Sequence, residues 1–442
     1  MAREKCVGIT SLIAGKSTLD SWTSAFAVGI KPIIITEPAN RERLESIKHE
    51  DTARAAAEAI YVTSLGSPDA LAEELRRTLA ERNLQLSHWI NVNDPLTPSF
   101  LYAADRLEIT FPFLEQYTAC RLKPVARGAA YHSGCSSFDA RTEWLNAPSP
   151  LPNADGVYIA KPISGSGSRG VRRLTSHSEW LQYCSKQLAE APSANFLVRG
   201  FEPFKQVLIE PCLIGEEWEI DGFIDREQLH ICAVGYKYHD YTEEHGFREI
   251  GCSIRRFNGK TSADEKVIDR QIEAWTRTLL SSLNFISGAF HIEAMRCGDA
   301  WELIEINPRP GGGTVLAMVK ELSGVDLNRQ SVRLWLDAPA DQKPSPQSHE
   351  AMLNVIVHPS RDGSIKAIKV EAEFTLDLFE QSYAAKWFPI ASVGQKVSTT
   401  QGEQYLGELH IYGLTVPCNT LGPVANRISD WLLENYFVVI DP

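Results

Sequence analysis

The chain has 442 residues, 43% hydrophobic and 23% charged, the composition of an ordinary folded protein rather than a disordered or collagen-like one. At roughly 150 residues per domain it is long enough for about three domains and a large core. The 44 lysines and arginines against 56 aspartates and glutamates leave a net charge of −12, which repels phosphate backbones and anionic lipid and argues against a nucleic-acid or membrane partner.

Taken in chain order, two apolar runs, CVGITSLIA ending at Ala14 and PIIIT ending at Thr36, flank SWTSAFAVG, whose spacing is helical. The chain therefore opens as β-α-β. The segment AGKST at 14–18 matches the end of a phosphate-binding P-loop, but that motif needs glycine where this chain has Thr10, so it is read as a strand-to-helix turn. Helices are expected over DTARAAAEAI and SPDALAEELRRTLAERN, the second opened by Ser67 with Pro68 at the first helical position. Residues 1–115 read as an α/β domain. From 116 to 335, strands YIAKP, VLIEPCL, EWEIDGFI, HICAVGY, GAFHIEA and WELIEIN alternate with helical runs such as EKVIDRQIEAWTRTLLSSL, a mixed α+β pattern. A polar, proline-bearing stretch from Ala340 to Glu350 reads as a linker. MLNVIVHP, IKAIKVEAE and GELHIYGLTV then read as strands before a closing helix, VANRISDWLLENY.

Nine scattered cysteines, none spaced CxxC, argue against a disulfide framework or a structural zinc site and fit a reducing cytoplasm. No stretch approaches the ~18 apolar residues of a membrane span, and the amino terminus lacks the pattern of a secretion signal.

The segment GAFHIEAMRCGDAWELIEINPRPGGG, 288–313, carries the most chemistry. Alternation places His291, Glu293 and Met295 on one face of its first strand and Leu303, Glu305 and Asn307 on one face of its second. If the hairpin closes through a three-residue loop centred on Asp299, Glu293 faces Glu305 and His291 faces Asn307; a two-residue Gly298-Asp299 turn would put the two glutamates on opposite faces. In the first register the carboxylates repel unless a cation sits between them. Two carboxylates and an amide oxygen are hard ligands suited to magnesium, and Arg309 follows as a fixed cation for an oxyanion. The alternative is a solvated hairpin face.

In YIAKPISGSGSRGV, Lys161 ends a strand before a loop with Gly165, Gly167 and Gly170. Such a loop either lets backbone N–H groups approach phosphates or is a plain flexible connection. VLIEPCLIGEEWEIDGF places Glu210 and Glu217 beside backbone able to bond an adenine edge and ribose hydroxyls. HDYTEEH, 239–245, reads as a charged loop near a substrate pocket rather than a metal site, with Arg248 and Glu249 just beyond it as candidate substrate contacts.

In order and spacing these segments resemble the ATP-grasp ligases, over about residues 116–335. The resemblance implies a clamp of two antiparallel sheets: a pre-grasp α/β domain over 1–115, a small lobe over 116–200, a large lobe over 201–339 and a β-rich segment over 351–442 that completes or covers the site. It implies Lys123 and Lys161 as nucleotide lysines, a lid from Ser164 to Gly170 with Ser166, Gly167 and Ser168 at the phosphates, and Glu210, Cys212 and Leu213 as the adenine hinge. Glu217 would bind ribose and Lys237 would contact phosphate. Glu293, Glu305 and Asn307 would bind two Mg2+, with Mn2+ as a substitute. Arg309 would steady the acyl phosphate and His291 would orient substrate. His-x-Glu and the NPRPGG ending most resemble the branch that contains the dipeptide-forming L-amino acid ligases. The resemblance thus implies a cytoplasmic enzyme, plausibly a homodimer, joining a small-molecule carboxylate to an amine at the expense of ATP. A kinase on the same clamp, or a binding module without catalysis, is the alternative.

Overall fold

The computed structural model describes residues 3–12, 16–49, 57–91, 93–109, 112–153, 155–191, 196–242, 246–259, 262–339, 349–399 and 404–440. Twenty strands, β1 to β20, and eleven α-helices are found among them. An amino-terminal parallel sheet has β1 (Glu4–Thr10), β2 (Lys31–Thr36), β3 (Glu58–Tyr61) and β4 (Leu84–Asn91) in the order β3-β2-β1-β4. Helices α1 (Lys16–Ala27), α2 (Arg41–His49), α3 (Pro68–Glu81) and α4 (Thr97–Arg106) accompany it. The opening β-α-β is as the sequence predicts. The helix expected over 51–60 is corrected: Glu58–Tyr61 forms β3, paired in parallel with β2, because Ala59 and Ile60 complete the sheet on its outer side. Residues 51–56, like Ala14 and Gly15 of the P-loop-like segment, lie outside the described residues.

Helices α5 (Pro112–Arg121) and α6 (Lys123–His132) lead into a second sheet of β5 (Thr142–Trp144), β6 (Tyr158–Pro162), β7 (Arg172–Leu174) and β8 (Gln206–Pro211), ordered β5-β8-β6-β7. Helix α7 (His177–Glu190) packs Trp180, Tyr183 and Cys184 against this sheet's Tyr158, Ala160, Val207 and Ile209.

The third sheet is antiparallel and nine-stranded. It contains β9 (Glu216–Asp225), β10 (Gln228–Thr242), β11 (Gly246–Arg256), β12 (Gly288–Cys297), β13 (Ala300–Asn307) and β14 (Ala351–Val357). After β15 (Gly363–Ile368) come β16 (Glu373–Leu378), β17 (Gln381–Pro389), β18 (Lys396–Val397), β19 (Gly407–Tyr412) and β20 (Phe437–Ile440); β16, β17 and β19 join the large sheet, and β18, β15 and β20 form a small one. The run IKAIKVEAE, expected as one strand, breaks at Ile368 so that β15 and β16 enter different sheets. HDYTEEH likewise corrects from loop to strand over His239–Thr242, where β10 pairs with β11; 243–245 lie outside the described residues. So do 340–348 of the expected linker.

Helix α8 (Ala263–Ser282) starts at a full capping box, Ser262 with Glu265, which satisfies two otherwise orphaned N–H groups. Its Ile272, Leu279 and Leu280 cover Trp218, Ile220, Phe290 and Ile292 of the large sheet, each such burial contributing about 1.5–3 kcal/mol. Helices α9 (Val315–Ser323), α10 (Leu327–Trp335) and α11 (Cys418–Tyr436) complete the set. With one face of the central strands committed to this core, their alternate side chains are forced onto the other face.

Candidate active site

That other face is a grid. Across β9, β12 and β13, Glu219 pairs with Glu293 and Glu293 with Glu305; one step along, Asp221 pairs with His291 and His291 with Asn307. The predicted register is therefore present, but its cause differs from the expectation. The hairpin closes through the two-residue Gly298-Asp299 turn, with Cys297 opposite Ala300, and an extra residue between Leu303 and Glu305 restores the alignment. Ile304 is that extra residue, a β-bulge. It also turns Leu303 to pair with Ala294 and join the core, so Leu303 does not share the face of Glu305 as expected. The Ile304 carbonyl is left to accept a hydrogen bond from Lys161 Nζ at 3.1 Å.

A cleft of about 460 Å³ lies between this grid and the four-stranded sheet. Lys123, Lys161, Ser166, Gly167, Ser168, Glu210, Cys212, Leu213, Glu217, Lys237, His291, Glu293, Glu305, Asn307 and Arg309 all line it. Residues separated by almost two hundred positions are thus brought into one concavity. Above it runs the glycine loop, where Gly170 has a left-handed φ of +73° and a Cβ would lie 2.9 Å from Pro162 Cγ; only glycine fits there.

Every carboxylate of the grid but one, Glu219, has an electrostatic answer. Lys237 bridges Glu293 and Glu249, the latter at 3.3 Å. Burial opposes its charge, but the surrounding glutamates outweigh that and raise the Lys237 pKa well above its usual value. Glu293 is opposed by burial too, yet Lys237 and His291 hold it well below the ordinary carboxylate range. Glu305 sits 3.0 Å from Lys123 and 3.2 Å from Arg121. His291 is buried against Asp221 at 3.1 Å, with Nε2 3.5 Å from Glu293; despite burial, the two carboxylates push it up to about 10. Glu219 is the exception: burial and then Asp221 raise it to about 7, and its Oε1 has no hydrogen-bond partner.

The hinge differs in detail from the expectation. The Glu210 side chain is turned inward, 2.6 Å from Lys161 and 2.7 Å from Arg127; these two cations overcome the burial penalty and keep it ionised. The Cys212 N–H donates to the Val157 carbonyl at 2.9 Å, so the Cys212 contact available to a ligand is its carbonyl. Glu217 pairs with His239 at 3.2 Å, and although burial opposes it, that carboxylate raises His239 to about 9. Arg248 pairs with Asp240 at 3.2 Å, whereas Glu249 lines the cleft.

Several residues escaped sequence reasoning. Asp94, between β4 and α4, pairs with both Arg309 and Arg121; burial opposes its charge, but the two guanidiniums hold the carboxyl below its usual value. Arg121 also donates to Asn307 Oδ1 and to the Gly165 carbonyl. Nothing local marks Asp94, a lone acid that opens a single 3-10 turn, Asp94–Leu96. Glu219 and Asp221 did have a signal: with Glu217 they alternate along EWEID. From the carboxy-terminal segment come Asn354, Ile356, Tyr405 and Glu408.

The donor set of the grid is chemically coherent. Glu293 and Glu305 oppose each other beside Asn307, and Glu219, paired with Glu293 from the neighbouring strand, has a buried oxygen without a hydrogen-bond partner. Crowded oxygen donors of this kind fit a hard divalent cation such as Mg2+.

Comparison with known proteins agrees with this architecture. Residues 156–318 match the family described as ATP-grasp domain. A search of the curated proteins found no match. Among solved structures, the L-amino acid ligase of Bacillus licheniformis superposes over 100% of both chains at a TM-score of 0.66 with 16% identity. Phosphoribosylglycinamide synthetase of Anaerococcus prevotii covers 99% of this chain and 100% of its own, with a TM-score of 0.58 and 13% identity. The biotin carboxylase domain of the Hydrogenobacter thermophilus 2-oxoglutarate carboxylase, in complex with MgADP, ADP and bicarbonate, covers 100% of this chain and 92% of its own, with a TM-score of 0.56 and 13% identity. At these identities the likeness is one of fold: the chain shares the fold of these three proteins. Among the described residues, no helix is long and apolar enough to cross a membrane.

Proposed function

We propose that this chain, whose residues 156–318 match the ATP-grasp domain, is an ATP-dependent carboxylate–amine ligase that forms an amide bond between an amino acid or related acid and an amine or second amino acid. The observation that carries this reading is the opposed Glu293–Glu305 pair, with Asn307 and Arg309 following on the same strand end, beneath a glycine loop bordered by Lys161.

In this reading ATP lies along the cleft, its adenine at the Cys212 carbonyl and Leu213 and its ribose at Glu217. Lys123, Lys161 and Lys237 contact phosphates, and Ser166, Gly167 and Ser168 close over them. Glu293, Glu305 and Asn307 hold Mg2+, which supplies charge neutralisation for the transferring phosphoryl group. The substrate carboxylate oxygen attacks the γ-phosphorus and ADP leaves, giving an acyl phosphate. The amine then attacks the acyl carbon, and the carbon–oxygen bond to phosphate breaks. Arg309, already fixed by Asp94, presents its charge where the negative oxygen develops, which requires no reorganisation during reaction. His291, held as a cation by Asp221, orients the substrate. Loop closure excludes water, which would otherwise hydrolyse the acyl phosphate.

The test is phosphate release from Mg·ATP across a matrix of amino acids, related acids and amines, singly and in pairs. Release confined to particular pairs supports the ligase. Stable phosphorylation of a single alcohol or acid would favour a kinase, and ATP binding with no turnover would favour a binding module.

A further inference from the structure

The cleft does not end at the lysines. Beyond Lys237 it is lined by Glu249 of β11, Asn354 of β14 and Glu408 of β19, a group that the nucleotide reading leaves without a task. Glu408 is 4% exposed and Asn354 1% exposed. One carboxylate oxygen of Glu408, Oε2, accepts from Thr314 Oγ1 and from Asn354 Nδ2 at 2.9 Å. The Thr314 hydroxyl proton is thereby spent on Glu408, so at its 2.6 Å contact with His410 Nε2 the histidine donates. This fixes the carboxylate's direction. The Thr314 backbone N–H also favours the ionised carboxylate, and among the described residues the side-chain donors to Glu408 are both on Oε2, not on Oε1. Oε1 faces Gly313, where a Cβ would stand 3.0 Å away, so glycine keeps the approach open. Asn354 Oδ1 is buried without a hydrogen-bond partner.

The charges at this end do not balance. Burial, and then the charge of Glu249, disfavours the ionised Glu408 carboxylate; Lys237 is divided between Glu249 and Glu293. A buried carboxylate oxygen, a buried amide oxygen and a second carboxylate close by call for a cation with a few directed donors. A hard divalent ion needs about six oxygens, and half of the Glu408 carboxylate is already committed to Thr314 and Asn354. An alkylammonium needs three acceptors.

We propose that Glu408 and Asn354 form a subsite for a protonated amino group that the substrate carries and that takes no part in the reaction. This rests on the ligase reading and deepens it: one substrate is an ammonium-bearing compound, selected by the carboxy-terminal strands against the same skeleton without the charge.

The test is equilibrium binding to the full chain saturated with Mg·ADP, which holds the cleft without turnover. The probes are pairs of equal shape: L-alanine and L-lactate, L-leucine and its 2-hydroxy analogue, β-alanine and 3-hydroxypropionate. At least one amino compound is expected to bind about tenfold or more tighter than its hydroxy partner, as loss of one partner of a buried charge pair implies. Glu408→Gln, which keeps the acceptor for Asn354 and Thr314, collapses that ratio towards one, and Glu408→Asp restores part of it. This result supports the subsite even if no pair releases phosphate, in which case the ligase reading alone falls. Equal binding of both members of every pair, or a ratio unchanged in Glu408→Gln, overturns the subsite even if phosphate release establishes the ligase.

Discussion

Asp94 and Arg309, 215 positions apart, form a buried ion pair in which Nε donates to Oδ1 at 2.9 Å and Nη2 to Oδ2. The bidentate contact sets the plane of the guanidinium that points into the cleft. Because the same carboxylate takes Arg121 at 3.1 Å, Asp94→Ala leaves Arg309 without its bidentate partner and Arg121 with Glu305 alone. Its cost in chemical denaturation is expected to be on the order of 3–5 kcal/mol. Asp94→Asn, which keeps one acceptor, falls between this and wild type and lowers ligase turnover more than it lowers ATP affinity.

Replacing a carboxylate of the grid tests the metal reading separately. With ATP present, Mg2+ is expected to raise the melting temperature of the wild type by mass action on the folded state. In Glu305→Gln and Glu293→Gln that increment shrinks, and phosphate release falls by roughly 100-fold or more, as for loss of a group that stabilises transferring charge. Chelation of the metal abolishes release in the wild type. A Glu305→Gln protein with full Mg-dependent turnover contradicts the assignment.

Stability should depend on pH in two opposite directions. His410 is lowered to about 3 by burial, with Lys386 adding to it, so it binds its proton more weakly folded than unfolded. Its contribution is present above its usual value of 6.5 and is lost as pH falls from there towards 3. His239 and His291 are raised, to about 9 and about 10. Their contribution is complete below 6.5 and is lost as pH rises through 9 and 10. Urea midpoints measured across the range from acid to alkaline pH should therefore peak near neutrality. His239→Gln should flatten the alkaline limb and leave the acid limb in place.

Of the eight cysteines whose side chains are described, six are buried, while Cys212 and Cys297 are partly exposed. Cys212 lines the cleft. Iodoacetamide should label Cys212 and Cys297 first, and ATP should slow labelling of Cys212 alone. Burial raises Cys184 and Cys232 to about 12, so they should react only after unfolding. Equal protection of both exposed cysteines by ATP would move the adenine away from the hinge.

Much of the site was legible because local rules agree with the fold. Period-two alternation placed His291 with Glu293 and Glu305 with Asn307, and glycine spacing marked the loop after Lys161. The bulge at Ile304 was not legible, since an extra residue inside a strand leaves the alternation on either side intact; the correct pairing was reached through a turn one residue too long. Glu58–Tyr61 reads as helix because alanine favours helices, and pairing with β2 overrides that preference. Asp94, Arg121, Asn354 and Glu408 could not be found by any local rule, because their meaning lies in partners that only the tertiary fold supplies.

The central claim, an acyl-phosphate intermediate formed on this cleft, is tested most directly by following oxygen. A carboxylate substrate labelled with oxygen-18 should transfer one labelled oxygen to the released phosphate, in equal amount to the amide product. Label that stays with the acid while phosphate is released, or label that appears in AMP, would contradict it.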